Sequence, residues 1–167
     1  MTNEHTPGRE RSWSLPATEY LWFFNTLVRV QVSCTSGSDD LSLLEHRAPY
    51  GDSPPLHRHR NEDEVFYILE GEFRFRVGER EQRAGPGTAL LVPRGVPHTY
   101  RVESRDGARW LTVTRARDFE RFVRTLGRRA PRPELPPPGP APTAAAIAEL
   151  TAIAAAHAID LCGPPLG

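Results

Sequence analysis

The stretch "PPLHRHRNEDEVFYILEG", residues 54–71, decides how this chain is read. It holds His57 and His59 one residue apart, an acidic knot, and an apolar, aromatic run that stops at Gly71. On a β-strand, side chains two apart share a face, so His57 and His59 converge while Arg58 points away. Residues 60–63, "RNED", read as a turn, and Glu64 opens the next strand. There Glu64, Phe66 and Ile68 share one face, and Val65, Tyr67 and Leu69 share the other. If the two segments pair, His57, His59 and Glu64 meet on one face.

A fourth candidate lies in "GTALLVPRGVPHTYRV", where His98 follows a Pro-x-Gly turn and starts another strand. Three imidazoles and one carboxylate suit a divalent first-row transition metal, whereas calcium prefers an all-oxygen shell. The expected cofactor is one such ion: Ni, Co, Mn, Fe, Cu or Zn. Four protein ligands leave one or two positions for water, a substrate oxygen or dioxygen. Asp63 or Glu62 is placed to orient a ligand histidine. His5 and His46 read as ordinary surface or structural residues.

The surrounding sequence is a series of short strands. In "LWFFNTLVRVQVS" Val28, Val30 and Val32 alternate with Arg29 and Gln31, the period of a half-buried strand. Phe73, Phe75 and Val77 alternate with Arg74 and Arg76. "GER", "AGPG" and "PRGVPH" punctuate the run as turns, and "ARWLTVTRA" is a further strand. Many short strands with Gly/Pro turns predict an all-β sandwich or barrel. Helix is expected only later. "DFERFVRTLG" sets Phe119, Phe122, Val123 and Leu126 at helical spacing, with Gly127 as a stop. An Ala-rich segment has Thr143 as its N-cap, with Ile147, Leu150, Ala154 and Ala158 on one face. The expected organisation is a polar arm at 1–17, a barrel at 18–116, a helix at 117–127, a Pro-rich linker at 128–142, and a C-terminal helix and tail at 143–167.

Composition bounds the function. The chain has 167 residues, the span of one domain, and a formal net charge of zero. Nucleic acid and anionic membrane, which need a basic surplus, are therefore not expected as main partners. Every basic side chain other than His is Arg. Without lysine the chain cannot form a Schiff base or hold PLP covalently. Cys34 and Cys162 stand far apart in no CxxC pattern, and read as free thiols in a reducing compartment. The N-terminal stretch has no apolar core, so the expected location is the cytoplasm.

The spacings as a whole resemble the two motifs of the cupin superfamily. "GDSPPLHRHRNEDEVFYILEG" meets G-x5-H-x-H-x4-E-x6-G at every fixed position. "GTALLVPRGVPHTYRV" meets G-x5-P-x-G-x2-H-x3-N except at the end, where Val102 replaces Asn. The resemblance implies a double-stranded β-helix, the cupin jelly-roll barrel, with C-terminal helices. It also implies a metal inside, held by His57, His59, Glu64 and His98. The whole chain further resembles single-domain bacterial quercetin 2,3-dioxygenase-like cupins, similar to enzymes that cleave the heterocyclic ring of a flavonol with O2 and release CO. That likeness implies a small aromatic substrate and O2, with Glu64 as both ligand and general base. The inner positions Phe66, Ile68 and Tyr100, with Tyr50, Phe24 and Trp110 nearby, are the expected pocket wall. Such an apolar wall suits a flat aromatic better than a sugar phosphate. The alternatives are another metal-cupin enzyme, such as an isomerase or cyclase that needs no O2, and a non-catalytic binding module. Barrel sheets have edges and apolar faces to cover, so a homodimer is expected.

Overall fold

A computed structural model describes residues 19–37 and 39–167. The polar arm at 1–17 and His5 lie outside the described residues. The chain runs β1 (Glu19–Phe23), β2 (Thr26–Val32), β3 (Leu41–Ala48), β4 (Pro55–His59), β5 (Glu64–Glu70), β6 (Phe73–Val77), β7 (Arg80–Ala84), β8 (Ala89–Val92), β9 (His98–Val102) and β10 (Ala108–Arg115). Then come α1 (Asp118–Leu126), β11 (Arg128–Arg129), α2 (Ala144–Ala156) and β12 (Ile159–Pro165). Two antiparallel sheets face each other, in the orders β11-β1-β2-β3-β10-β5-β8 and β12-β4-β9-β6-β7. This is the all-β jelly roll with C-terminal helices.

Alternation builds the interior. In β10 Ala108, Trp110, Thr112 and Thr114 point in, and Arg109, Leu111 and Val113 point out. In β6 Phe73 and Phe75 are fully buried. Their neighbour Arg74 pairs outside with Glu103 at 2.9 Å, and Arg76 with Glu81 at 2.8 Å. Phe66, Ile68, Phe73, Phe75, Tyr100, Val102 and Trp110 fill one end of the barrel. Phe23, Val28, Leu44, Phe119, Phe122, Ala154 and Ile159 form a second cluster, where α1 and α2 close the side. Gly71 joins β5 to β6 at φ 86°, and a Cβ there would lie 2.7 Å from the carbonyl oxygen of Gly107, so only glycine fits.

Two expectations need correction. The segments 57–59 and 64–69 do not pair with each other. β4 pairs with β12 and β9, and β5 with β10 and β8. Residues 60–63 carry the chain from one sheet to the other; periodicity defines the faces of a strand but not its neighbour. In α2, Thr143 does cap, accepting from the Ala146 amide at 3.2 Å. Of the face expected, Leu150 and Ala154 pack against the barrel, whereas Ile147 is exposed and Ala158 lies beyond the helix at φ 57°. A helix made almost wholly of alanine and aliphatics has no polar face to choose its orientation. The tail is also more than a tail, since β12 is the edge strand against β4. Among the described residues no helix is long and apolar enough to cross a membrane.

Candidate metal centre

His57 and His59 come from β4, His98 from β9 and Glu64 from β5, so the group spans both sheets. His57 and His98 are direct cross-strand partners, with rings 4.4 Å apart. One ligand atom from each of the four residues lies within 4.8 Å of the others. His59, Glu64 and His98 are buried, and His57 is half-buried.

Each imidazole is oriented from behind. The Nδ1 of His57 lies 2.8 Å from the carbonyl oxygen of Pro55, and that of His98 lies 3.0 Å from the carbonyl of Val96. A carbonyl only accepts, so both Nδ1 atoms carry the proton. The Nδ1 of His59 faces Glu62 Oε1 at 3.2 Å. All three Nε2 atoms are thereby left as lone-pair donors. His59 Nε2 is buried with no hydrogen-bond partner and stands 3.6 Å from Glu64 Oε2. His98 Nε2 stands 3.0 Å from the same oxygen. Lone pairs and a carboxylate that converge this way call for a cation between them. The donor set therefore fits a divalent transition metal ion.

The electrostatics of the four residues are coupled. Burial pushes His57 down to about 3, with His98 and His59 adding to it and Glu64 opposing. Burial alone would raise Glu64, but His59, His98 and His57 outweigh it and hold the carboxylate at about 2. Burial also works against a charged His59, yet Glu64 and Glu62 leave its pKa above the ordinary value.

Of the expected pocket wall, Phe66, Ile68 and Tyr100 are inside and buried. They pack on Phe73, Phe75 and Trp110 as the filled end of the barrel. The Tyr100 hydroxyl donates to Asp52 at 3.2 Å. Tyr50 and Phe24 do not join that wall. Both are exposed, and the Arg101 guanidinium lies over the Tyr50 ring. Each sits outside a strand, where alternation says nothing about direction. A cleft of about 730 Å³ between Arg47, Arg109 and Leu135 contains none of the four candidate ligands.

Three contributions were not legible as such. Phe119, read only as a helix-core residue, places its ring 5.5 Å from that of His59. His46 is buried, stacks on Trp110 at 4.9 Å, and leaves Nε2 unpartnered. Its inward place on β3 is the period-two signal that could have found it. β12 braces the ligand strand: Ile159 registers with His59 and Leu161 with His57. Arg60 reinforces this by donating to the carbonyls of Ala158 and Ala155 at 2.8 and 2.7 Å.

Comparison with known proteins agrees with this architecture. The cupin domain model matches residues 44–114. Over 85 residues the chain is 34% identical to quercetin 2,3-dioxygenase of Bacillus subtilis (strain 168), covering 51% of this chain and 25% of that one. Over 69 residues it is 38% identical to the dimethylsulfoniopropionate lyase DddQ of Ruegeria pomeroyi, covering 41% and 34%. The chain thus spans a quarter to a third of the length of these curated relatives. The structure of oxalate decarboxylase from Bacillus subtilis superposes with a TM-score of 0.55 at 23% identity, covering 66% of this chain and 30% of that one. The motif spacing, the two-sheet barrel and the domain match coincide, and residues 44–114 of the protein form a cupin domain.

Proposed function

We propose that the protein is a metal-dependent dioxygenase of the quercetin 2,3-dioxygenase-like type, acting in the cytoplasm on a flavonol or a related enolisable aromatic. The observation that carries the reading is the convergence of three Nε2 atoms and Glu64, together with the likeness to the Bacillus subtilis enzyme. A divalent ion held by His57, His59, Glu64 and His98 would supply a Lewis acid. The chain's own residues do the rest. Glu64, ionised and facing the three imidazoles, accepts the proton of the substrate's enolic hydroxyl. The carbonyls of Pro55 and Val96 keep His57 and His98 aimed inward. His57, half-buried beside three buried partners, marks the side from which substrate arrives. Phe66 shields the cluster from behind, its ring 6.4 Å from that of His98.

The test is to load the protein with Ni, Co, Mn or Fe, add quercetin in air, and follow absorbance, O2 uptake and CO. Loss of the flavonol band with CO release is expected. No turnover with any of the four metals overturns the flavonol reading. The likeness to a lyase favours a second reading, a metal-cupin enzyme that moves protons without O2. Turnover of an enolisable substrate with no O2 uptake would select it.

We also propose a homodimer, through the outer face of the seven-stranded sheet. Val32, Leu43, Val113, Val65 and Leu91 form one apolar row across β2, β3, β10, β5 and β8. Val32 and Leu91 are exposed, on a face where an antiparallel sheet is normally polar. Beside the row, Arg29, Glu45, Arg109 and Glu70 alternate in sign across four strands. Being apolar along its whole length, the row can meet itself across a two-fold axis, which favours a second copy. Val113→Glu at the row's centre should give an 18.7 kDa monomer by sedimentation, where the wild type shows twice that mass. A monomeric wild type removes the dimer.

A further inference from the structure

Helix α1 starts without a cap of its own. Arg117, at the N-cap position, has φ 74° and makes no side-chain capping bond. The first-turn amide of Phe119 donates instead to Oε1 of Glu62, 57 residues earlier, at 2.7 Å. That same oxygen accepts from Nδ1 of His59 at 3.2 Å. Glu62 is buried, so the bonds it makes are not readily replaced by water. Beside it, Asn61 Nδ2 donates to Asp118 Oδ2 at 2.8 Å, a second tie between the crossing turn and the helix start. The Phe119 ring then lies against His59.

We propose that α1 is a working part of the metal centre, with Glu62 as its positioning residue. One carboxylate oxygen holds His59 in the tautomer and direction that leave Nε2 free for a metal. It also holds the helix against the barrel. Metal occupancy and helix docking therefore stabilise each other, and the coupling is reciprocal. Helix α1 lies outside the matched domain at residues 44–114, so this is a property of the chain and not of the domain alone. The inference rests on the metal reading of the cluster.

The test uses the full chain and Co(II) alone as probe. Affinity is measured by chelator competition, and amide exchange of Phe119 is followed with and without Co(II). Glu62→Gln keeps the shape and the accepting oxygen but removes the charge that strengthens both bonds. It should weaken Co(II) binding by about 10–100-fold, the usual scale for a group that orients a ligand histidine. Co(II) should slow exchange at Phe119 in the wild type and not in E62Q. Asn61→Ala touches no candidate ligand and should weaken binding by a smaller factor. Wild-type affinity in folded E62Q overturns the proposal, as does a Phe119 amide indifferent to Co(II). If E62Q fails to fold, N61A decides, and unchanged affinity there overturns it. A wild type that binds no Co(II) removes the metal reading and this inference together, a result distinct from binding without coupling.

Discussion

Stripping metal from the protein with a chelator should lower its melting temperature by about 10 °C. A ligand at a thousand times its dissociation constant stabilises the folded state by about 4 kcal/mol. For a chain of this size each kcal/mol is worth about 2–4 °C. The physical cause is in the cluster itself. With Nδ1 of His57 and His98 committed to carbonyls, three Nε2 lone pairs and the Glu64 carboxylate face one another in a buried space. A cation relieves that confrontation, and its removal restores it. His98→Ala removes the ligand that Glu64 touches at 3.0 Å. It should cost at least about 100-fold in metal affinity, the upper end of what an orienting group alone costs. Its melting temperature should no longer respond to added Co(II) or to chelator. Calorimetry beside elemental analysis checks both. Equal melting temperatures for metal-loaded and stripped wild type would falsify the metal assignment.

His46 should make the fold acid-sensitive well above the carboxylate range. Its ring is buried between Trp110 and Phe119, and burial lowers its pKa from 6.5 to about 4, with Glu64 and Glu45 only partly opposing. Above pH 6.5 the imidazole is neutral folded or unfolded, and its full contribution is present. As pH falls below 6.5 the unfolded chain takes up the proton and the folded chain does not. Stability then drops by up to about 1.4 kcal/mol per pH unit, and the loss ends near pH 4. The sum is about 3 kcal/mol. His46→Phe keeps the stack on Trp110 and removes both the titration and the unpartnered Nε2. Urea unfolding at pH 7.5 and 4.5 should show the variant losing about 3 kcal/mol less than the wild type between the two. An equal loss in both would assign the acid sensitivity elsewhere.

The sequence by itself determined the strands between residues 26 and 115, their inner faces and the four candidate ligands. Alternation and turn residues are local, and the H-x-H and Glu64 spacing places donors before any partner strand is known. Phe66, Ile68 and Trp110 were legible as inner residues for the same reason. What local pattern could not carry is who stands beside whom. His57 and Glu64 belong to different sheets, and Tyr50 turns outward because a loop has no period to direct it. Glu62 outranks Asp63 only because Phe119, 57 residues later, returns to meet it. Asp63 instead accepts from the Arg94 amide at 2.8 Å. The strand at 159–165 formed beside β4 because the ligand strand had an open edge to fill, a demand set by the tertiary structure alone.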